Sequence, residues 1–88
     1  MEEQEENVLQ LYPNPAHLST TIHLQVSHLS YVSLQLCSPY GAVLLHEEGV
    51  MPEGGHNVDV NLQSLPAGIY LVRVIIAGEY HASKLIVL

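Results

Sequence analysis

Histidine offers the widest scope for chemistry in this sequence, because imidazole binds metal ions and exchanges protons near neutral pH. The chain contains six: His17, His23, His28, His46, His56 and His81. None has the i, i+2 or i, i+4 partner that would place two ligands on one strand or helix. His23 and His46 are expected on the solvent faces of different strands, where they could meet beside Glu47 or Glu48. Closed metal sites usually need three or four ligands, so the pattern favours exposed histidines and no metal site.

The nucleophilic side chains lack the neighbours that catalysis requires. Cys37 is the only cysteine, which excludes an intramolecular disulfide and indicates a small buried residue. Ser38 has no glycine-framed elbow, and no His and Asn stand at a recognisable spacing from the cysteine. In a strand, Glu47 and Glu48 would point to opposite faces. We therefore predict no catalytic residue and no cofactor, and a protein that is not an enzyme.

The charge of the chain limits the classes of partner it could bind, and its distribution separates an acidic leader from the rest. The net charge is −7, and Arg73 and Lys84 are the only basic residues. This composition excludes nucleic acid and an anionic membrane surface as partners, because both require clustered cations. Four of the nine acidic residues lie in residues 1–7, which are predicted to form an acidic leader or linker. Acids, rather than a basic and then an apolar segment, follow Met1, so no signal peptide is expected there. Residues 8–88 are predicted to form one domain.

The chain is organised around an apolar run that follows the turn signal Pro66–Gly68. Residues 69–76 are predicted to form a strand. Because Ile69, Leu71 and Ile75 are apolar as well as the positions between them, we expect burial on both faces. The stem of Arg73 would lie on apolar surface with its guanidinium in water. Three positions are expected in the core: Tyr70, Val72 and Val74.

Six further segments alternate apolar and polar residues and indicate strands: 8–12, 20–26, 31–37, 42–48, 56–62 and 80–88. Pro39 and Gly41 are typical of a type I turn within a hairpin. The longest loop is expected at residues 49–55. No apolar series has helical spacing. The predicted fold is an all-β, antiparallel sandwich of about seven strands, immunoglobulin-like or fibronectin-like.

Four segments, in this order, resemble the C-terminal sorting domain of the bacterial type IX secretion system. They are Leu11-Tyr12-Pro13-Asn14-Pro15-Ala16, the hairpin around Gly41, Leu65-x-x-Gly68-Ile69-Tyr70, and Lys84-Leu85-Ile86-Val87. The resemblance covers residues 8–88. The chain departs from the family at the hairpin turn, where the family often has Asp and a polar residue after Gly, and in its many histidines.

The resemblance implies that this domain is the C-terminal sorting signal of a longer exported protein. A signal peptide would stand at the far end of an N-terminal cargo. After crossing the inner membrane, the protein would be recognised in the periplasm and passed by the outer-membrane translocon. A sortase-like cysteine protease would remove the domain as the cargo is joined to surface lipopolysaccharide. The expected location is the periplasm in transit to the outer membrane, cell surface or extracellular space.

The recognition element is predicted at the end of the chain: Lys84, Leu85, Ile86, Val87 and Leu88. If this strand lies at a sheet edge, its unpaired backbone could be read by strand addition, with Lys84 and the terminal carboxylate as charged landmarks. The alternative is a fibronectin-like structural spacer or adhesion module of a secreted protein. A carbohydrate-binding module is a poorer candidate, because the sequence has no Trp for stacking.

Overall fold

The computed structural model describes residues 8–88, which form two antiparallel sheets packed as a sandwich. The strands are β1 Leu9–Tyr12, β2 Ser19–Val26, β3 Ser30–Cys37, β4 Val43–Met51, β5 Gly54–Asn61, β6 Gly68–Ile76 and β7 Glu79–Val87. One sheet has the order β1-β2-β5 and the other β4-β3-β6-β7. The predicted all-β sandwich is confirmed. The acidic leader predicted at residues 1–7 lies outside the described residues.

The core consists of the alternate positions that the apolar pattern indicates. Each of the three central strands places every second side chain between the sheets, and these are almost fully buried: Ile22, Leu24 and Val26 of β2, Val32, Leu34 and Leu36 of β3, and Tyr70, Val72 and Val74 of β6. The thiol of Cys37 is free and the residue is buried, as predicted. No helix within residues 8–88 is long and apolar enough to cross a membrane.

The second face of β6 is exposed, so the prediction that this strand is buried on both faces was wrong. β6 lies between β3 and β7, yet Ile69 is 55% exposed and Ile75 is 44% exposed. An antiparallel sheet in a two-layer sandwich is covered on one side only. No described residue forms a layer over the other side, and the four-stranded sheet therefore presents an outer face with apolar side chains.

The loop predicted at residues 49–55 is also wrong, because strands occupy most of it. β4 continues to Met51 and β5 begins at Gly54, so Pro52 and Glu53 alone link these two strands, which belong to different sheets. Gly54 has a φ of +126°, which favours glycine. A Cβ on Gly55 would lie 2.9 Å from Cε1 of His23 on the neighbouring strand. These glycines allow the sharp crossover and close pairing with β2.

Candidate functional site at the terminal strand

The terminal strand β7 lies at an edge of the four-stranded sheet and pairs with β6 along its whole length. Its side chains alternate between the core and the surface. Leu85 and Val87 are buried in the core. Lys84, Ile86 and Leu88 are exposed. Of the five residues predicted as the recognition element, three are therefore accessible to a partner and two belong to the packing of the domain.

The outer backbone of this segment is already hydrogen-bonded, contrary to the unpaired edge expected from the sequence. The side-chain amide of Asn14 donates to the Lys84 carbonyl at 2.8 Å, and the Ile86 N–H donates to Asn14 Oδ1 at 2.9 Å. Beyond it, the Ala16 N–H donates to the Ile86 carbonyl at 2.7 Å, and the Leu88 N–H donates to the Ala16 carbonyl at 2.8 Å. Residues 14–16 thus cap the edge of β7 from residue 84 to the end of the chain.

The cap follows from the local sequence of the first motif. Pro13 and Pro15 have no N–H to donate, whereas the amide side chain of Asn14 supplies one donor group and one acceptor, like a peptide unit. The Tyr12–Pro13 and Asn14–Pro15 peptide bonds are both cis. The carbonyl of Pro13 accepts a hydrogen bond from the buried hydroxyl of Thr20 at 2.9 Å. This bond fixes the motif to β2.

The other motif residues stabilise turns or pack in the core. The ring of Tyr70 is buried, and its hydroxyl donates to the Pro66 carbonyl at 2.6 Å, which secures the turn before β6. Gly41 has a φ of +92° and donates its N–H to the Ser38 carbonyl at 2.9 Å. This bond closes the predicted β3–β4 hairpin. Gly68 opens β6, where an added Cβ would already contact the Pro39 ring at 3.5 Å.

The histidines do not converge. His23 lies in the three-stranded sheet and His46 in the four-stranded sheet, so these two residues do not meet across one sheet. His23 Nδ1 is 2.6 Å from Oδ1 of Asn57, which also accepts a 3.5 Å hydrogen bond from the Tyr12 hydroxyl. His46 Nε2 lies 3.4 Å from Glu48 Oε1. In the described part of the chain, no three His, Cys, Asp or Glu side chains are grouped to hold a metal ion.

The two basic residues lie on the same outer face, an arrangement that sequence reasoning missed. Arg73 is half-buried, and its Nη2 donates to Gln35 Oε1 at 2.6 Å, while its Nε is buried without a hydrogen-bond partner. The guanidinium is therefore less hydrated than predicted. Lys84 is exposed and lines, with Arg73, a shallow cavity of about 300 Å³. Neither cation forms an ion pair with an acid among residues 8–88. Only the β6–β7 register could have revealed their proximity.

The fold and this edge define a small β-sandwich module in which residues 14–16, near the start of the domain, are hydrogen-bonded to the last strand. The sequence matches the family described as the secretion system C-terminal sorting domain over residues 10–88, and the chain belongs to this family. It is a C-terminal sorting signal for type IX secretion, and the spacer alternative is not favoured. Such a signal is attached to a cargo, interacts with the type IX secretion system, and directs export to the outer membrane or cell surface. A comparison with curated proteins returned no match.

Proposed function

We propose that the translocon recognises this domain by the side chains that the terminal segment presents to solvent: Lys84, Ile86 and Leu88. The alternation of burial along β7 carries this proposal, since Leu85 and Val87 are nearly inaccessible. The two buried residues hold the segment in place, and the three exposed ones offer a cation and two apolar groups.

Docking in this scheme leaves the 14–16 cap in place. Strand addition alongside Lys84–Leu88 would first have to break the four hydrogen bonds that Asn14 and Ala16 make there. Each such bond has a net value of roughly 0.5–1.5 kcal/mol, so their combined loss would oppose docking. A translocon that recognises the outward side chains leaves these hydrogen bonds intact and avoids that cost.

The remaining steps of the pathway are part of the same proposal. The cargo carries the signal peptide, residues 1–7 form the link between cargo and domain, and recognition takes place in the periplasm. A sortase-like protease on the cell surface then removes the domain. The domain itself performs no reaction, in keeping with the burial of its single thiol.

A reporter fusion tests the proposal. A periplasmic reporter with a signal peptide is joined to residues 1–88 and expressed in a bacterium with type IX secretion, where the fusion is expected at the cell surface. The double variant Lys84→Ala, Ile86→Ser should remain in the periplasm. Val50→Ser is the matched control, because Val50 is an exposed apolar residue on β4, at the opposite edge of the same sheet.

Two results would contradict the proposal. If the double variant is exported as well as the parent, the exposed side chains of β7 are not what is recognised. If the parent fusion itself stays in the periplasm, the domain does not act as an independent sorting signal. Melting temperatures of the purified variants exclude misfolding as the cause of lost export.

A further inference from the structure

Both cations of an otherwise acidic chain lie together on the outer face of the four-stranded sheet. Arg73 stands opposite Ala82, and Lys84 stands opposite Leu71, the outward residue two positions before Arg73. The two cations are thus diagonal neighbours, with Cβ atoms roughly 7 Å apart. Both line the same shallow cavity. An anionic group placed between them would reach both.

Among residues 8–88, the charges at this site are uncompensated. Arg73 contacts the neutral side chain of Gln35, and its Nε is removed from water without gaining a hydrogen bond. Within residues 8–88, no carboxylate pairs with either cation. Folding has therefore partly desolvated the guanidinium already. Charge-assisted hydrogen bonds to a carboxylate are stronger than neutral ones. A carboxylate between Arg73 and Lys84 would also offset the repulsion between their like charges.

Exposed apolar side chains flank the two cations. Along β6 the outward positions are Ile69, Leu71, Arg73 and Ile75, at a spacing of about 6.6 Å for every two residues. Ile69 stands opposite the exposed Ile86 of β7. A small free anion would leave these side chains in water, whereas a protein partner would cover them. Contiguous exposed apolar surface of this kind marks interaction sites.

We propose that this face binds a protein segment that presents a carboxylate between apolar side chains, with the carboxylate between Arg73 and Lys84. The Arg73–Lys84 face comprises Ile69, Leu71, Arg73, Ile75, Lys84 and Ile86. The inference rests on the proposed function only in that a protein partner recognises the domain, and it adds the chemistry of that partner. Because the net charge of the chain is −7, discrimination must come from short-range contacts rather than long-range steering.

The probe is the peptide acetyl-Val-Thr-Glu-Thr-Val-amide, whose extended form places Val, Glu and Val on one side at the spacing of the outward β6 residues. Its control carries Gln in place of Glu. In an NMR titration of the ¹⁵N-labelled 88-residue chain, the Glu peptide should shift amide resonances of β6 and β7. The Gln peptide should bind roughly tenfold more weakly, the loss typical of one hydrogen bond to a charged group.

Variants of the domain locate the contact. Arg73→Gln and Lys84→Gln should each weaken the Glu peptide roughly tenfold and leave the Gln peptide unchanged. Lys84→Arg keeps the charge and should retain binding. Since Arg73 is half-buried, Lys84→Glu provides a test by charge reversal that leaves residue 73 itself unsubstituted. That variant should no longer bind the Glu peptide and should instead bind a peptide with Lys in place of Glu.

Equal binding of the Glu and Gln peptides, or shifts confined to other strands, would overturn the inference. Dimer formation through this face, seen by sedimentation and abolished by Lys84→Glu, would assign it to a second copy instead. Glu-peptide binding that appears only after deletion of residues 1–7 would assign it to the acidic leader, and the proposal would again be wrong. Export of the reporter fusion is measured separately. Peptide binding without export contradicts the proposed function alone, and export without peptide binding contradicts this inference alone.

Discussion

Asn14 and Ile86, 72 residues apart, are joined by a 2.9 Å hydrogen bond from the Ile86 N–H to Asn14 Oδ1. The amide of the same asparagine donates to the Lys84 carbonyl at 2.8 Å. One side chain therefore stands in for a strand at the edge of β7. The first and last motifs of the sequence therefore contact each other. Because of this contact, the backbone of the segment proposed for recognition has hydrogen-bond partners on its outer side.

Asn14→Ala is expected to lower the free energy of unfolding by about 1–2 kcal/mol, because it removes two hydrogen bonds at an exposed site. Urea denaturation measures the change. The Ile86 amide should also exchange with solvent faster, since it loses its acceptor. Asn57→Ala is the matched control, because within residues 8–88 the Asn57 side chain is hydrogen-bonded to the side chains of Tyr12 and His23 rather than to the backbone of a strand edge. Equal costs for the two variants would show that Asn14 does not fix the edge.

Val72→Ala should cost about 1–3 kcal/mol of stability, because it removes buried methyl groups from the centre of the core and leaves a cavity. Val72 is fully buried. Ile75→Thr on the outer face of the same strand keeps a β-branched side chain and should change stability by less than about 0.5 kcal/mol. Denaturant titration of both variants tests the assignment of the two faces. A larger loss for Ile75→Thr would mean that the outer face is covered.

Val72 and Ile75 lie on opposite faces of β6, and the sequence predicted the environment of only one of these faces. The apolar run predicted the core positions Tyr70, Val72 and Val74 of β6 correctly, and these share one face because each face of a strand takes every second side chain. Hydrophobicity alone could not distinguish a covered second face from an exposed one, so Ile69 and Ile75 were misplaced. Length and turn signals likewise predicted the sandwich but not the short crossover, where Gly54 and Gly55 extend a strand instead of forming a loop.

The candidate site was predictable only in part for a similar reason. An edge position for residues 84–88 was a condition of the recognition hypothesis drawn from the sequence, and the structure places β7 at an edge with Lys84 exposed. The cap by Asn14 depends on a contact across the whole domain. The proximity of Arg73 and Lys84 depends on the register between β6 and β7. Neither relationship leaves a local signal in the sequence.

The phenol of Tyr31 is expected to lose its proton at a higher pH than an ordinary tyrosine. A hydrogen bond to Glu48 raises its pKa, and desolvation and the charge of that carboxylate add to the effect. Since the folded-state pKa is raised, any stabilisation is present below the unfolded pKa and is lost as the pH rises through the folded one. NMR titration of the ring carbons measures this pKa. Glu48→Gln should lower it, whereas Glu47→Gln should not, because Glu47 points to the opposite face of β4.

A polar tail of six Gly and Ser residues after Leu88 should reduce export of the reporter fusion severalfold while leaving the melting temperature unchanged. The Leu88 N–H still donates to the Ala16 carbonyl in the tailed domain, and the side chain of Leu88 is 66% exposed, so the core and the cap keep their contacts. The tail removes the carboxylate from Leu88 and hinders access to the Leu88 side chain. Surface labelling of intact cells measures the exported fraction.

The same six residues placed before Met1, between reporter and domain, provide the matched control and should have no effect on export. If the domain with the C-terminal tail is exported as well as this control, the free end of the chain is not recognised. Recognition would then depend on Lys84 and Ile86 within the sheet, where the tail leaves both side chains accessible.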